Sequence, residues 1–491
     1  MTAAAPERMS RVDTAWLRMD NDVNLMMIVG VWLLQPGVSL AALRERLGEK
    51  LLKYDRFRQK AVHDAMGALW VDDDDFDIAR HVVPAVLDLP ADGHTPQQAQ
   101  QALQALCGEL AMTPLDPARP LWQFHLIEHY DGGSALVARV HHCIGDGIAL
   151  ISVMMSLTDG GSDPPTRRRR EKAALQAHAA DGDWLARAVL EPMTDLTVKA
   201  IGMYGSGVAK SLEWLASPQA LAGTAAAPMD VARIGYQAVS DVAALALMPD
   251  DSPTLLKRKP AGHKVVAWSE PLPLDQVKAV CKGLGCSVND VLLACAAGAI
   301  GDYLAAQGDD PADKAIRAMV PVNLRPLDQA WKLGNRFGLA PLVLPIGIDN
   351  PVERVFAVRA RMNELKGSYQ PLLAFGVLAL SGLFIKPVQD MVLGMFARKA
   401  TAVMTNVPGP AQPLKLCGST LKQTMFWVPA SGDIGVGVSI LSYGGGVQFG
   451  LITDRALCPE PQAIIDRFAP EFEKLTWLTL MLPWGDEPAQ S

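Results

Sequence analysis

The sequence is short of charge, of aromatic rings and of long apolar runs. Charged residues make up 20% of the 491 residues and aromatic ones 6%. The 52 acidic residues outnumber the 45 basic ones and leave a net charge of −7. That sign speaks against a general nucleic-acid binder, so no nucleic-acid partner is expected. No stretch reaches the ~20 apolar residues that cross a bilayer as a helix. The nearest, residues 371–385, breaks at Lys386-Pro387 and reads as a buried or interfacial helix. Residues 1–20 carry Glu7, Arg8, Arg11, Asp13 and Arg18 and lack the apolar centre of a secretory signal. The seven cysteines are scattered, without a Cys-x-x-Cys pair. This speaks against a disulfide scaffold and suits a reducing cytosol. No internal repeat is visible.

What is present is apolar bulk, 49% of the chain, enough for sizeable cores. At ~150 residues per domain the length allows two to four domains. Residues 1–160 mix strand and helix signals. Asn24 to Leu34 is a strand candidate; Ser39 caps a helix whose leucines recur at helical spacing; Ala68 to Val71 is a second strand. Thr95 to Leu110 reads as a helix, and Leu121 to Glu128 and Ala135 to Val140 as two strands joined through Asp131-Gly132-Gly133. The run Asp72 to Asp75 is a solvated loop. Residues 161–260 open on Gly, Ser and Pro, continue through Arg167 to Arg170, and turn Ala-rich and helical, as a linker does. Such a linker packs on the body or lies on a lipid surface with its arginines at anionic head groups. Residues 261–491 form a second α/β unit. It has a strand at His263 to Trp268, a helix capped by Ser287 and Asp290, a strand at Ala318 to Arg325, a strand-to-loop at Val403 to Pro410, a hairpin over 436–452, and a last helix over 461–475.

The most informative stretch is His141-His142-Cys143-Ile144-Gly145-Asp146-Gly147, placed between an apolar strand and an apolar helix. A histidine at a strand end is exposed to substrate and still oriented by the fold, which suits acid–base chemistry. Neighbours on a strand point to opposite faces, so one histidine works and the other is packed. A metal site from His142 and Asp146 is not expected, because i,i+4 ligands need a continuous helix and the glycines indicate a turn. Cys143 is not read as a nucleophile, since no activating partner is evident.

This stretch resembles the HHxxxDG signature of the chloramphenicol acetyltransferase-like superfamily, which includes peptide-synthetase condensation domains and CoA-dependent acyltransferases. Four further strings narrow the resemblance: Pro120-Leu121-Trp122; Ser287-Val288-Asn289-Asp290; Pro321-Val322-Asn323-Leu324-Arg325-Pro326 followed by Gly334-Asn335-Arg336-Phe337-Gly338; and Asn406-Val407-Pro408-Gly409-Pro410. In this order they are similar to the bacterial wax ester synthase/acyl-CoA:diacylglycerol acyltransferase family, over residues 9–475. One departure stands out: family members often carry Pro-Met-His where this chain reads Asn24-Leu25-Met26-Met27.

The resemblance implies two chloramphenicol acetyltransferase-like subdomains, mixed sheets flanked by helices, with the active-site tunnel between them. It implies transfer of a long-chain acyl group from acyl-CoA to a fatty alcohol or diacylglycerol, with acyl-CoA as co-substrate and no cofactor. It also implies that His142, four positions before the aspartate, is the general base. His141 then supports the packing and Asp146 holds the loop through a salt bridge, for which Arg325 is the candidate partner. Gly145 and Gly147 are expected to allow the backbone conformations and the close approach that the loop needs. Trp122, Asn289, Asp290, Thr405 and Asn406 are candidates to line the tunnel or hold the oxyanion, against plainer readings as core, cap and turn residues. The expected location is cytoplasmic, or peripheral to the inner membrane or lipid inclusions. The alternatives are a condensation-type acyltransferase using carrier-protein thioesters and a catalytically silent lipid-droplet protein.

Overall fold

The apolar run before the histidine pair forms the strand Gly133–His141, buried along nearly its whole length. The computed structural model describes residues 6–162 and 248–481, except 65–66, 91–92, 326–328, 330–331, 367–373, 375–377 and 379–385. Most of the 161–260 linker, with its basic run, and the apolar run 371–385 therefore lie outside the described residues, apart from short pieces.

Gly133–His141 is central in a 6-stranded sheet, paired antiparallel with Met27–Gln35 on one side and Trp122–Tyr130 on the other. The sheet is covered by Pro96–Ala111, a helix closed by a capping box from Thr95 and Gln98. The second half builds a 7-stranded mixed sheet. Ile316–Asn323, Ala402–Pro408 and Val436–Tyr443 run parallel at its centre, with antiparallel strands flanking them. A third, 3-stranded sheet in the first half joins Gln59–Asp64 and Glu7–Arg8 to Gly67–Asp72. The two large sheets, flanked by helices in an α/β arrangement, exchange a strand. Ser419–Trp427, from the second half, pairs antiparallel with Met27–Gln35 of the first sheet. The second unit thus does not hold all of 261–491. The physical reason is an edge: without its partner, Met27–Gln35 would present an unpaired, apolar margin to water.

The helix Val288–Ala306 is long and apolar enough to cross a membrane, yet 78% of its most apolar window is buried inside the fold. It is the core of the second half, packed against Pro351–Lys366 and Gln462–Met481. Gly298 makes this packing possible. A Cβ there would lie 2.4 Å from Arg354 Nη2, which pairs with the buried carboxylate of Glu471. Between the halves, Pro96–Ala111 lies hard against Lys264–Trp268, where a Cβ on Gly108 would meet the Lys264 carbonyl at 2.4 Å.

Candidate active site

The strand Gly133–His141 ends where the two sheets face each other, and its last residues part as the pleat requires. The His141 ring receives a hydrogen bond at Nδ1 from the Cys143 amide, 3.2 Å away. Its Nε2 then carries the proton and faces Asp20 Oδ1 at 3.3 Å. His141 is therefore a tied, packed side chain. The His142 ring turns into a chamber lined from both halves, by Trp16, Gly147, Asn323, Phe337, Thr405 and Phe426 among others.

His142 is held by its surroundings more than by hydrogen bonds on its ring. Its amide donates to the Met26 carbonyl at 2.7 Å, and its carbonyl accepts from Asn335 Nδ2 at 2.7 Å. The ring stacks on Trp16, with centroids 4.1 Å apart and planes 10° from parallel, and Phe337 closes the other approach at 5.5 Å. Nδ1 is buried without a hydrogen-bond partner among the described residues, which leaves Nε2 as the nitrogen open to the chamber. Burial pushes the His142 pKa down to about 4; its own carbonyl, the charge of Asp146 and Asn335 act more weakly in the opposite direction. The imidazole is thus neutral in ordinary buffers, the state a general base needs.

Asp146 does not reach the ring. Its Oδ2 takes Arg325 Nη2 at 2.7 Å and the Arg336 amide at 2.9 Å, while Oδ1 caps the helix Gly147–Leu157 through the Ala149 amide at 2.9 Å. Both ion-pair partners are buried. Arg325 also donates to the carbonyls of Lys332 and Gly334. The structure therefore brings Asp146 and Arg325 together across 179 residues of chain as a clamp on the motif loop.

Some expected residues stand elsewhere. Trp122 lies in the core: its Nε1 donates to the Phe57 carbonyl at 2.9 Å and its ring stacks on His81, so it lines no tunnel. Asp290 closes a capping box with Ser287, whose amide it accepts at 2.9 Å, and it does not border the chamber. Asn289 and Asn406 bond to each other at 2.8 Å, tying a helix start to a strand away from His142. Thr405 alone of this group faces the chamber, and its hydroxyl is shared with Ser439 at 3.2 Å. The glycine expectation holds for close approach, since Gly145 pairs with the Gly334 backbone, and fails for backbone conformation. Neither Gly145 nor Gly147 has a positive φ, so neither supplies an unusual backbone conformation. The left-handed position is Gly334, φ +99°, in the segment that pairs with Gly145.

Gly147 matters for space instead. It borders both the chamber and a second, almost wholly apolar cavity lined by Trp32, Val140, Met154, Leu414, Leu421 and Tyr443. Ile151, Val407, Phe426 and Val428 are shared in the same way, so the two cavities adjoin. A Cβ on Gly147 would meet nothing within 4 Å. Gly147→Val should therefore fold normally and narrow the junction. Turnover of a 16-carbon thioester is expected to fall about tenfold while a 4-carbon one is spared; equal losses on both would show that the junction carries no chain.

Four residues of the site escape the motif-based reading: Asp13, Trp16, Asn335 and Phe337. Asn335 bridges Asp13 Oδ1 and the His142 carbonyl, both at 2.7 Å. Burial pushes the Asp13 carboxyl pKa up, and its bonds from Asn335 and Ser10 oppose that. Asn335 and Phe337 sit within the Gly334–Gly338 string, so their signal was present without an assigned role. Cys143 is fully buried, and burial pushes its thiol well above the ordinary value, so it is no nucleophile.

Comparison with known proteins agrees with this geometry. Residues 9–292 match the wax ester synthase/diacylglycerol acyltransferase catalytic domain, and residues 333–476 the WS/DGAT C-terminal domain. The chain is 26% identical to the "Probable diacyglycerol O-acyltransferase tgs1" of Mycobacterium tuberculosis over 427 residues, 85% of this chain and 84% of that one. It is also 26% identical to the "Probable diacyglycerol O-acyltransferase tgs2" of the same species over 477 residues, 92% and 95% of the two chains. Among solved structures, the wax ester synthase/diacylglycerol acyltransferase from Marinobacter aquaeolei VT8 superposes with a TM-score of 0.64 at 20% identity, covering 97% of this chain and all of that one. The first condensation domain of the calcium-dependent antibiotic synthetase superposes at 0.57 and 14% identity, covering 97% of each chain, which shows a shared chloramphenicol acetyltransferase-like fold. With both domain descriptions matched in order over most of its length, the chain belongs to the wax ester synthase/diacylglycerol acyltransferase family of acyltransferases.

Proposed function

We propose that this enzyme moves a long-chain acyl group from acyl-CoA to the hydroxyl of a fatty alcohol or a diacylglycerol. The observation that carries the reading is a neutral histidine with one open ring nitrogen, set in a chamber that adjoins an apolar cavity. The acceptor hydroxyl gives its proton to His142 Nε2 as its oxygen attacks the thioester carbonyl. A tetrahedral oxyanion forms and collapses, the C–S bond breaks, and the proton passes from His142 to the departing thiolate. With both substrates bound together, no covalent enzyme intermediate is needed. The apolar walls keep water from competing with the alcohol. Thr405, whose side chain lines the chamber, offers a hydroxyl to the oxyanion, and Asp146 and Arg325 hold the loop through their ion pair.

Palmitoyl-CoA incubated with hexadecanol or dioleoylglycerol tests this reading. CoA should be released, with the ester formed, only when an acceptor is present. No release with either acceptor would overturn it.

The buried base also sets a pH dependence. With the His142 pKa near 4, kcat/KM should stay level from about pH 7 down to about pH 5.5 and fall with a midpoint near 4. An acid limb centred on the ordinary histidine value of about 6.5 would contradict the assignment. Stability runs in the same sense. The unfolded chain binds the proton first, so between about 6.5 and 4 the fold loses stability as pH falls. His125, also pushed down to about 4 by burial, adds to that slope, so circular dichroism should accompany the rate profile.

A further inference from the structure

Shared lining residues link the His142 chamber to the outside of the fold. A wide surface cleft lies between the helix Pro96–Ala111, the strand Lys264–Trp268 and residues 455–466. Met112 and Lys264 line this cleft and also a narrow neck beneath it, whose other walls include Asn24, Met27 and Pro429. Val428 and Pro429 line both the neck and the His142 chamber. Cleft, neck and chamber therefore follow one another, and the apolar cavity beyond Gly147 continues the series. The series is polar at the cleft and apolar at the far end, with the reacting histidine between. An acyl-CoA has the same order: anionic nucleotide, uncharged pantetheine arm, thioester, hydrocarbon chain.

Lys264 stands where the cleft narrows. Its ammonium makes no hydrogen bond or ion pair with the described residues. Asp454, the carboxylate whose charge it feels, is already occupied by the amides of Ala261, Gly262 and His263, at 3.0, 2.8 and 3.2 Å. Burial pushes the Lys264 pKa down to about 8. A half-buried cation without a partner is costly, and a bound anion removes the cost. The outer wall is less suited to an anion, since Glu109, Glu460 and Asp466 stand there beside Arg455.

We propose that Lys264 binds the phosphate end of the acyl-CoA donor, so that the donor threads from this cleft through the neck and presents its thioester to His142. This rests on the acyl-CoA reading above. It makes Lys264 a binding residue for the leaving group's handle, remote from the reacting atoms, and it assigns the Gly147 side of the chamber to the hydrocarbon chain.

The test compares two donors with the same acyl chain, palmitoyl-CoA and palmitoyl-N-acetylcysteamine, which lacks the nucleotide and its phosphates. Lys264→Met should raise KM for palmitoyl-CoA about tenfold with kcat little changed, and leave the truncated donor unaffected; Lys264→Arg should restore the KM. The same loss on both donors, or none on palmitoyl-CoA, would overturn the assignment. A measurement on the native protein guards against a variant that fails to fold. Acetic anhydride should label Lys264, and CoA should protect it, as read by mass spectrometry of the peptides. Labelling unchanged by saturating CoA would also overturn it. If the native enzyme releases no CoA with any acceptor, it is the acyl-transfer reading that fails instead.

Discussion

His142→Ala should lower kcat by about 10² to 10⁴, the range that a positioned proton acceptor supplies. The loss belongs to chemistry, since Nε2 is the one ring nitrogen facing the chamber and the described residues give it no bond. The loop should survive. Asn335 binds the backbone carbonyl of residue 142 and not the ring, and the amide still reaches the Met26 carbonyl. The lost stack on Trp16 and the lost contact with Phe337 leave a cavity that costs some stability, so turnover is measured well below the melting transition. A residual rate over the uncatalysed reaction is expected, because holding thioester and alcohol together still counts. Near-normal turnover in the folded variant would remove His142 from the mechanism.

Much of this was legible because it is local. The Ser287/Asp290 capping box, the 436–454 hairpin and the strand before the histidines are written in periodicities and caps a few residues long. The opposite orientations of His141 and His142 follow from the pleat alone. What was not legible is contact between segments distant in the chain. Nothing near Ser419–Trp427 says that this strand leaves its own half to pair with Met27–Gln35. Trp16 and Asn335 reach His142 across 126 and 193 residues, so a motif reading centred on His141 to Gly147 does not contain them. Trp122 shows the converse error. A tryptophan in a family string looked like a channel wall, and its Nε1 bond to Phe57 shows a core residue with its one donor satisfied. Of the two roles open to Gly147, an unusual backbone conformation and space, the structure shows space, a distinction that only the surroundings can make.

Arg325→Met should destabilise the protein more than Asp146→Asn does, and this asymmetry tests the clamp. Removing the guanidinium strands a buried carboxylate with only two amide donors, those of Ala149 and Arg336. Breaking a buried pair in this way costs about 3–5 kcal/mol, a fall in Tm of about 3–5 °C for a chain of this length. Asp146→Asn keeps an oxygen to cap the helix Gly147–Leu157, and Arg325 keeps the carbonyls of Lys332 and Gly334. Its cost should be smaller, and the double variant should lose less than the sum of the two. Turnover should follow stability in all three. The clamp fixes the 333–336 segment, and Asn335 in that segment holds the His142 carbonyl, so a loosened loop misplaces the base without altering its chemistry. An Asp146→Asn protein with an unchanged Tm and abolished turnover would instead place the carboxylate in the reaction itself. The measurement therefore decides between a loop held by charge and an acid taking part in proton transfer.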